Sequence, residues 1–331
     1  MRSDFDLGRF ELVSGSNLPS GHLAYETHGE LNAEGSNCIL LPSYYTGTSS
    51  SYEPWIGPDR LFDPAEWFIV AVNLFGNGVS TSPSRAHPDI AGAGFPDVDI
   101  ADNVIAQHRL LSHLGVKRIR LIAGWSIGAL QAYEWAARYP DLVNAILPIA
   151  GAARCSPHNF VFLEGVKSTL LADPAFQHGH YSAPPVQGLR AFGTVYAGWA
   201  YSQEFFRQGT YRELGYASVD SVIRGWATDH ESEDANDLLA MLGTWQRADV
   251  GRYHPGGFEG AMAGITAQAI VMPGSTDLYF PQADSEQEVE LLQHGKLRPL
   301  VSDLGHVAGR PGIRAAETVQ ISAAVQELLG S

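Results

Sequence analysis

Three residues in this chain have the types, order and surroundings that acyl transfer needs. Ser126 stands in Gly124-Trp125-Ser126-Ile127-Gly128. Asp277 follows the apolar run Ala269-Ile270-Val271-Met272-Pro273, and His306 closes Leu300-Val301-Ser302-Asp303-Leu304-Gly305-His306. A serine hydroxyl is a poor nucleophile until a histidine takes its proton, and that histidine needs an acid to fix its tautomer. The chain order Ser, Asp, His fits a serine set on a tight strand-to-helix turn, with its partners delivered by later strands. Asp303 is the rival acid, but it lies too close along the chain to orient His306. His108, His113 and His294 fall on expected helices and read as surface or core residues.

The tetrahedral intermediate also needs two N–H donors for its oxyanion. The backbone of Ile127, next after the serine, supplies one. The loop after the strand ending at Leu41 supplies the other, which we assign to Tyr45. Tyr44, Trp125 and Tyr279 are placed as pocket residues; packing under a covering layer is the competing role for the tyrosines.

Gly-x-Ser-x-Gly by itself is weak evidence, so the flanking elements decide. Ile119 to Ala123 is an apolar run that reads as a buried strand, and Ala129 to Arg138 has helical spacing that stops at Tyr139-Pro140. Strand, turn and helix are the setting in which the motif presents a strained, exposed serine oxygen above a helix N-terminus. Upstream, Phe10 to Val13 and His22 to His28 look like an antiparallel hairpin, and Asn37 to Pro42 and Trp67 to Asn73 like buried strands. Ile100 to Leu114 has helical periodicity, and Ala145 to Ala150 is a further strand. Strands alternating with helices predict a parallel α/β sheet. From about Ala152 to Gly264 the rhythm becomes helical and aromatic, with Phe192, Tyr196, Trp199, Tyr201, Trp226 and Trp245. This stretch reads as a cap inserted over the sheet. The alternation resumes at Ala269 to Pro273, then a helix from Gln282 to Leu292, a strand from Lys296 to Val301 and a closing helix from Ile313 to Leu329. The expected organisation is a core of residues 1–151 and 265–331 with a helical cap of residues 152–264.

At 331 residues the chain can bury a large core, and 45% hydrophobic with 17% charged residues is a soluble globular composition. A formal charge of -15 without a basic stretch argues against a nucleic-acid partner. No run approaches a membrane span and the N-terminal residues carry no apolar signal region. Cys38 and Cys155 are the only cysteines, so a reducing cytoplasm is expected, and neither has the neighbours of a zinc site. Gly76-Asn77-Gly78-Val79-Ser80 lacks both the phosphate-loop lysine and the dinucleotide fingerprint, so it reads as a structural loop and no nucleotide or flavin is implied.

At this level of detail the chain resembles the homoserine O-acetyltransferase-like family of α/β-hydrolase-fold proteins, over nearly its whole length. Ser43-Tyr44-Tyr45-Thr46-Gly47 matches a segment that is often His-Ala-Leu-Thr-Gly in the family. Trp67 to Pro83 has its Asn-x-x-Gly and Ser-x-x-Pro features. Ala129-Leu130-Gln131-Ala132-Tyr133-Glu134-Trp135-Ala136 is similar to Met-Gln-Ala-Leu-Glu-Trp-Ala, and Asp234-Ala235-Asn236-Asp237-Leu238 to Asp-Ala-Asn-Ser-Tyr. The resemblance implies a mostly parallel central sheet flanked by helices, with the inserted cap forming a tunnel and a homodimer interface. It also implies double displacement: Ser126 takes an acyl group, His306 serves as base and acid, Asp277 orients it, and an alcohol or water removes the acyl group.

The departures bear on substrate. Trp125, Ile127 and Ala129 replace the family's Gly, Met and Gly. Glu231-Ser232-Glu233 stands where homoserine acetyltransferases tend to have a basic residue, a poor partner for an amino acid's carboxylate. The leading expectation is therefore a hydrolase of a small carboxylic ester or amide, with no metal and no cofactor. The alternative is an O-acyltransferase with acetyl-CoA or another acyl-CoA as co-substrate. A non-catalytic hydrolase-fold binding protein comes third, since it has little need for all three of Ser126, Asp277 and His306.

Overall fold

The structure, a computed structural model, describes residues 2–330. Eight strands form one sheet: β1 (Ser3–Glu11), β2 (Asn17–His28), β3 (Cys38–Pro42), β4 (Phe68–Val72), β5 (Ile119–Trp125), β6 (Ala145–Ile149), β7 (Gln268–Val271) and β8 (Gly295–Leu297). Their spatial order is β1-β2-β4-β3-β5-β6-β7-β8. The first two strands are antiparallel to each other, β2 is antiparallel to β4, and every later pairing is parallel. All residues of β3, β4 and β6 are buried, which is why these strands read as unbroken apolar runs. The strand that leads to Ser126, β5, lies in the interior of the sheet between β3 and β6.

Helices α1 (Ile100–His113), α2 (Ile127–Arg138), α9 (Gln282–Leu291) and α10 (Ala315–Leu329) accompany the sheet. Between β6 and β7 the chain runs through α3 (Pro157–Leu171), α4 (Val186–Ala200), α5 (Gln203–Gln208), α6 (Val219–Glu231), α7 (Ala235–Gln246) and α8 (Gly257–Ala263), with no strand among them. The Asp234-Ala235-Asn236-Asp237 segment ties this layer down. Asp234 caps α7 by accepting from the Asn236 and Asp237 backbones, each at 3.0 Å. Asp237 reaches across to accept from the Ser84 backbone (2.9 Å) and hydroxyl (2.5 Å), and Asn236 donates to the Gly179 carbonyl.

The structure departs from the sequence reading mainly at the ends of elements. The first strand opens at Ser3 and not at Phe10. It is an edge strand whose Phe5 and Leu7 are only partly buried between exposed acidic residues, so its apolar signal is weak. At the other edge β8 stops at Leu297, short of Val301, because Pro299 has no N–H to give. Isolated bonds continue past it, from Arg298 to Val271 and from Leu300 to Pro273. Finally, α2 begins at Ile127, directly after the serine, and His294 lies in the turn between α9 and β8, not on a helix.

Where the chain leaves β6 for the helical layer, Glu288 of α9 accepts the Ala153 backbone N–H at 2.7 Å. Its other oxygen and the nearby Tyr133 hydroxyl are buried without a partner in hydrogen-bond geometry, although the phenol is close enough to favour the carboxylate slightly. Burial pushes the carboxyl up to about 8. A group with a raised folded pKa holds its proton more tightly when folded. Its contribution is therefore full below the unfolded value of about 4.5 and is lost as pH rises through about 8. Glu288→Gln, which mimics the protonated acid, is expected to raise the melting temperature at pH 9 by roughly 5 °C and to change it little at pH 5. Thermal unfolding at both values tests this, and equal shifts at the two would discard it.

Candidate active site

Ser126 occupies the turn between β5 and α2 with φ 59° and ψ −124°, a left-handed conformation that costs a non-glycine residue on the order of 1–3 kcal/mol. The surroundings impose it. The Ser126 N–H donates to the Ile149 carbonyl (3.0 Å) on the neighbouring strand, while the Ser126 carbonyl accepts from Ala129 (2.9 Å) in the first turn of α2. Both flanking glycines are required for space. A Cβ on Gly124 would stand 2.2 Å from the Gly128 carbonyl oxygen, and one on Gly128 2.7 Å from the Pro42 carbonyl oxygen.

His306 is delivered by the short 3-10 turn Gly305–Gly309, and Asp277 by the turn after β7. Both side chains are buried. His306 Nδ1 donates to Asp277 Oδ2 at 2.8 Å, so Nε2 is the bare nitrogen and accepts from the Ser126 hydroxyl at 3.0 Å. The other Asp277 oxygen accepts the backbone N–H groups of Tyr279 (2.7 Å) and Phe280 (3.3 Å), which fixes the carboxylate plane. Asp303 faces elsewhere. It accepts from Arg314 (2.8 Å) and from Thr210 of the helical layer.

Aromatic rings hold the imidazole from two sides. Trp125 stacks on it (5.2 Å between centroids, 27°) and donates its indole N–H to the His306 carbonyl at 3.1 Å. Tyr279 lies 4.3 Å away on a tilted plane. The loop Ser43–Gly47 stands beside the serine. Gln131 of α2 donates to the Ser43 carbonyl (2.8 Å), Ser43 Oγ accepts from Leu74, and Asn77 donates to the Gly47 carbonyl. The Gly76–Ser80 stretch thus props this loop. Among the described residues neither the Tyr45 nor the Ile127 backbone N–H has a protein acceptor, the condition for both to serve an oxyanion.

Above the serine is a cavity of about 220 Å³ whose walls include Tyr44, Tyr45, Trp125, Tyr279 and His306. The Ile127 side chain is in the core and meets the site only through its backbone. Burial pushes the phenols of Tyr45 and Tyr279 well above their ordinary range, so they stay protonated and cannot act as bases. The Tyr45 hydroxyl donates to the Leu238 carbonyl. The helical layer adds Tyr196, Tyr201, Tyr216, Trp226, His230 and Glu233, and the segment after His306 adds Arg310. Sequence reasoning missed His230 and Arg310 and did not place Glu233 in the wall. The available signal was the spacing of Trp226 and His230, one helical turn apart on α6.

No helix among the described residues is long and apolar enough to cross a membrane. Among the same residues, no group of three or more His, Cys, Asp or Glu could hold a metal ion.

The chain is similar in sequence and fold to known proteins. The chain is 40% identical to an ethyl acetate hydrolase of Pseudomonas veronii, over 98% of this chain and 95% of that protein. It is 31% identical to a homoserine O-acetyltransferase of Nostoc punctiforme, over 90% of this chain and 89% of that one. Among solved structures, an acetylester hydrolase from Corynebacterium glutamicum superimposes with a TM-score of 0.96 at 37% identity, covering 100% of this chain and 96% of the other. A family model described as alpha/beta hydrolase fold matches residues 39–309, from the first parallel strand to the turn that carries His306. The chain belongs to the α/β-hydrolase-fold family and is an enzyme of the serine-hydrolase type.

Proposed function

We propose that this protein hydrolyses small carboxylic esters, acetate esters foremost, through an acyl-Ser126 intermediate. The observation that carries the reading is the continuous chain of hydrogen bonds from Asp277 through His306 to Ser126, opening on a cavity with room for a short acyl group and a short alcohol. The 40% identity to an ethyl acetate hydrolase supports it. His306 Nε2 takes the hydroxyl proton as Ser126 Oγ attacks the ester carbonyl, and the oxyanion is met by the Tyr45 and Ile127 N–H groups. The intermediate collapses, the alcohol leaves with the proton from His306, and water repeats the sequence to release the acid and free the serine. Water is the only second substrate, so no cofactor is needed.

Trp125 acts here as a positioning residue. Trp125→Phe, which loses the bond to the His306 carbonyl, is expected to lower kcat about tenfold with a much smaller change in KM. A variant that changes KM alone would assign the indole to substrate packing.

A second reading, acyl-CoA-dependent transfer to homoserine or another alcohol, is favoured by the 31% identity to a homoserine O-acetyltransferase. Against it stand Asp229 and Glu233, which outnumber Arg310, the one cationic side chain of the cavity wall, and disfavour an amino acid's carboxylate. The deciding experiment is free-thiol release from acetyl-CoA with and without L-homoserine, beside cleavage of p-nitrophenyl acetate, with Ser126→Ala as the blank. Ester cleavage without homoserine-dependent thiol release is expected. The reverse pattern would make the protein an acetyltransferase.

Residues 152–264 act in this reading as the cap that governs access to Ser126. Exposed apolar side chains on its helices, Phe160, Val161 and Leu171 of α3, Val195 of α4 and Ile223 of α6, support a homodimer. A monomer mass by light scattering would remove that part. Two unpaired cysteines support a reducing compartment, the cytoplasm, as the place of work.

A further inference from the structure

Two residues that line the cap end of the cavity, His230 and Glu233, carry hydrogen-bond acceptors without donors, among aromatic rings. His230 is 7% exposed, and its Nδ1 lies 2.8 Å from the Trp226 carbonyl of its own helix. Nδ1 therefore carries the proton, and Nε2, on the ring edge turned away from that carbonyl, presents a lone pair. This nitrogen is buried without a partner, in a residue that forms part of the cavity wall. Burial lowers the pKa of the ring, which keeps it a neutral acceptor. Three residues on, just past the end of α6, Glu233 lines the same cavity. Its carboxyl has no hydrogen-bond or ion-pair partner among the described residues, and burial, with Asp237 and Asp234 nearby, raises its pKa, a cost that a cationic ligand relieves. The Trp226 and Tyr196 rings stand 5.9 and 6.0 Å from the His230 ring. The one cationic side chain in the wall, Arg310, also borders an outer recess formed with Tyr44, Ser51 and Pro54, and so belongs to the core side of the entrance.

We propose that His230 and Glu233 form a subsite for the part of the ester remote from the scissile carbonyl, one that takes a positively charged hydrogen-bond donor. Two acceptors without donors call for N–H or O–H groups on the ligand. An aromatic surround and a carboxylate favour a cation over an anion. The substrate class is then acetate esters of amino alcohols, preferred over esters of hydroxy acids. The inference rests on the esterase reading and refines it.

Three acetates of nearly equal shape test it at pH 7: 2-(dimethylamino)ethyl acetate, which is protonated, isopentyl acetate, which is neutral, and 3-acetoxypropanoate, an anion. The readout is kcat/KM of each charged ester relative to isopentyl acetate, in the native protein and in Glu233→Gln. The substitution keeps the shape of a half-exposed side chain, so the fold is not at stake. It is expected to lower the ammonium ratio about tenfold and to raise the carboxylate ratio by a similar factor. Both ratios staying within about twofold of the native values would overturn the subsite. Calorimetric binding of the ammonium ester to Ser126→Ala, with and without Glu233→Gln, separates the two claims. Binding weakened by the second substitution, in a protein that hydrolyses none of the three, would keep the subsite and remove the esterase reading. Hydrolysis with unchanged ratios would do the opposite, and neither binding nor hydrolysis would remove both.

Discussion

Ser126→Ala is expected to reduce ester hydrolysis to background, a loss on the order of 10⁶-fold by the precedent of other serine hydrolases. No acyl-enzyme can form without Oγ, and His306 is left with no proton to take. The fold should survive. Alanine keeps the Cβ and meets the same backbone strain at φ 59°, and the bonds that hold the turn, from Ser126 N–H to Ile149 and from Ala129 to the Ser126 carbonyl, use main-chain atoms only. The measurement pairs p-nitrophenyl acetate turnover with intact mass after a serine-directed fluorophosphonate. The native protein should gain one adduct and the variant none. Turnover persisting in a variant with native circular dichroism would mean that another residue is the nucleophile.

Asp277→Asn should be nearly as damaging, by up to ~10⁴-fold in kcat, on the precedent of the corresponding change in serine proteases. The local bonding explains why relief by rotation is closed. Oδ1 is engaged by the backbone N–H groups of Tyr279 and Phe280, so an asparagine must keep its oxygen there and turn its NH₂ toward His306. A donor facing Nδ1 drives the imidazole proton to Nε2, the nitrogen that has to accept from Ser126. Asp303→Asn serves as the control. Its partners are Arg314 and Thr210, and its loss should cost less than about tenfold, through looser attachment of the cap. Comparable losses in the two variants, or a larger one in Asp303→Asn, would reassign the acid.

How much of this was readable from the chain depended on whether the information was local. The serine turn could be read because strand, glycine spacing and helix are contiguous from Ile119 to Arg138. Asp277 and His306 could be read because each follows a late apolar run, and the structure brings both within hydrogen-bond reach. Edges were harder. The half-exposed β1 and the proline-interrupted segment after β8 lack the apolar continuity of interior strands. The upper wall was least readable. His230 and Glu233 come from the end of α6 and Arg310 from the segment after His306, and the spacing of Trp226 and His230 marks one face of α6 without stating that it looks down on Ser126. Only the packing of the helical layer on the sheet decides that.

The distance along the chain between Ser126 and its base has a further consequence. The two residues are bonded at 3.0 Å yet lie 180 positions apart, with the entire helical layer synthesised between them. A ribosome releases the nucleophile, its turn and the Ser43–Gly47 loop long before Asp277 or His306 exists, and domains emerge N-terminal part first. The nascent chain therefore carries a serine that cannot react. Competence waits for the C-terminal segment to deliver its imidazole. An enzyme built this way cannot consume esters from a half-made molecule, and a chain truncated before His306 would be silent however well its first half folded.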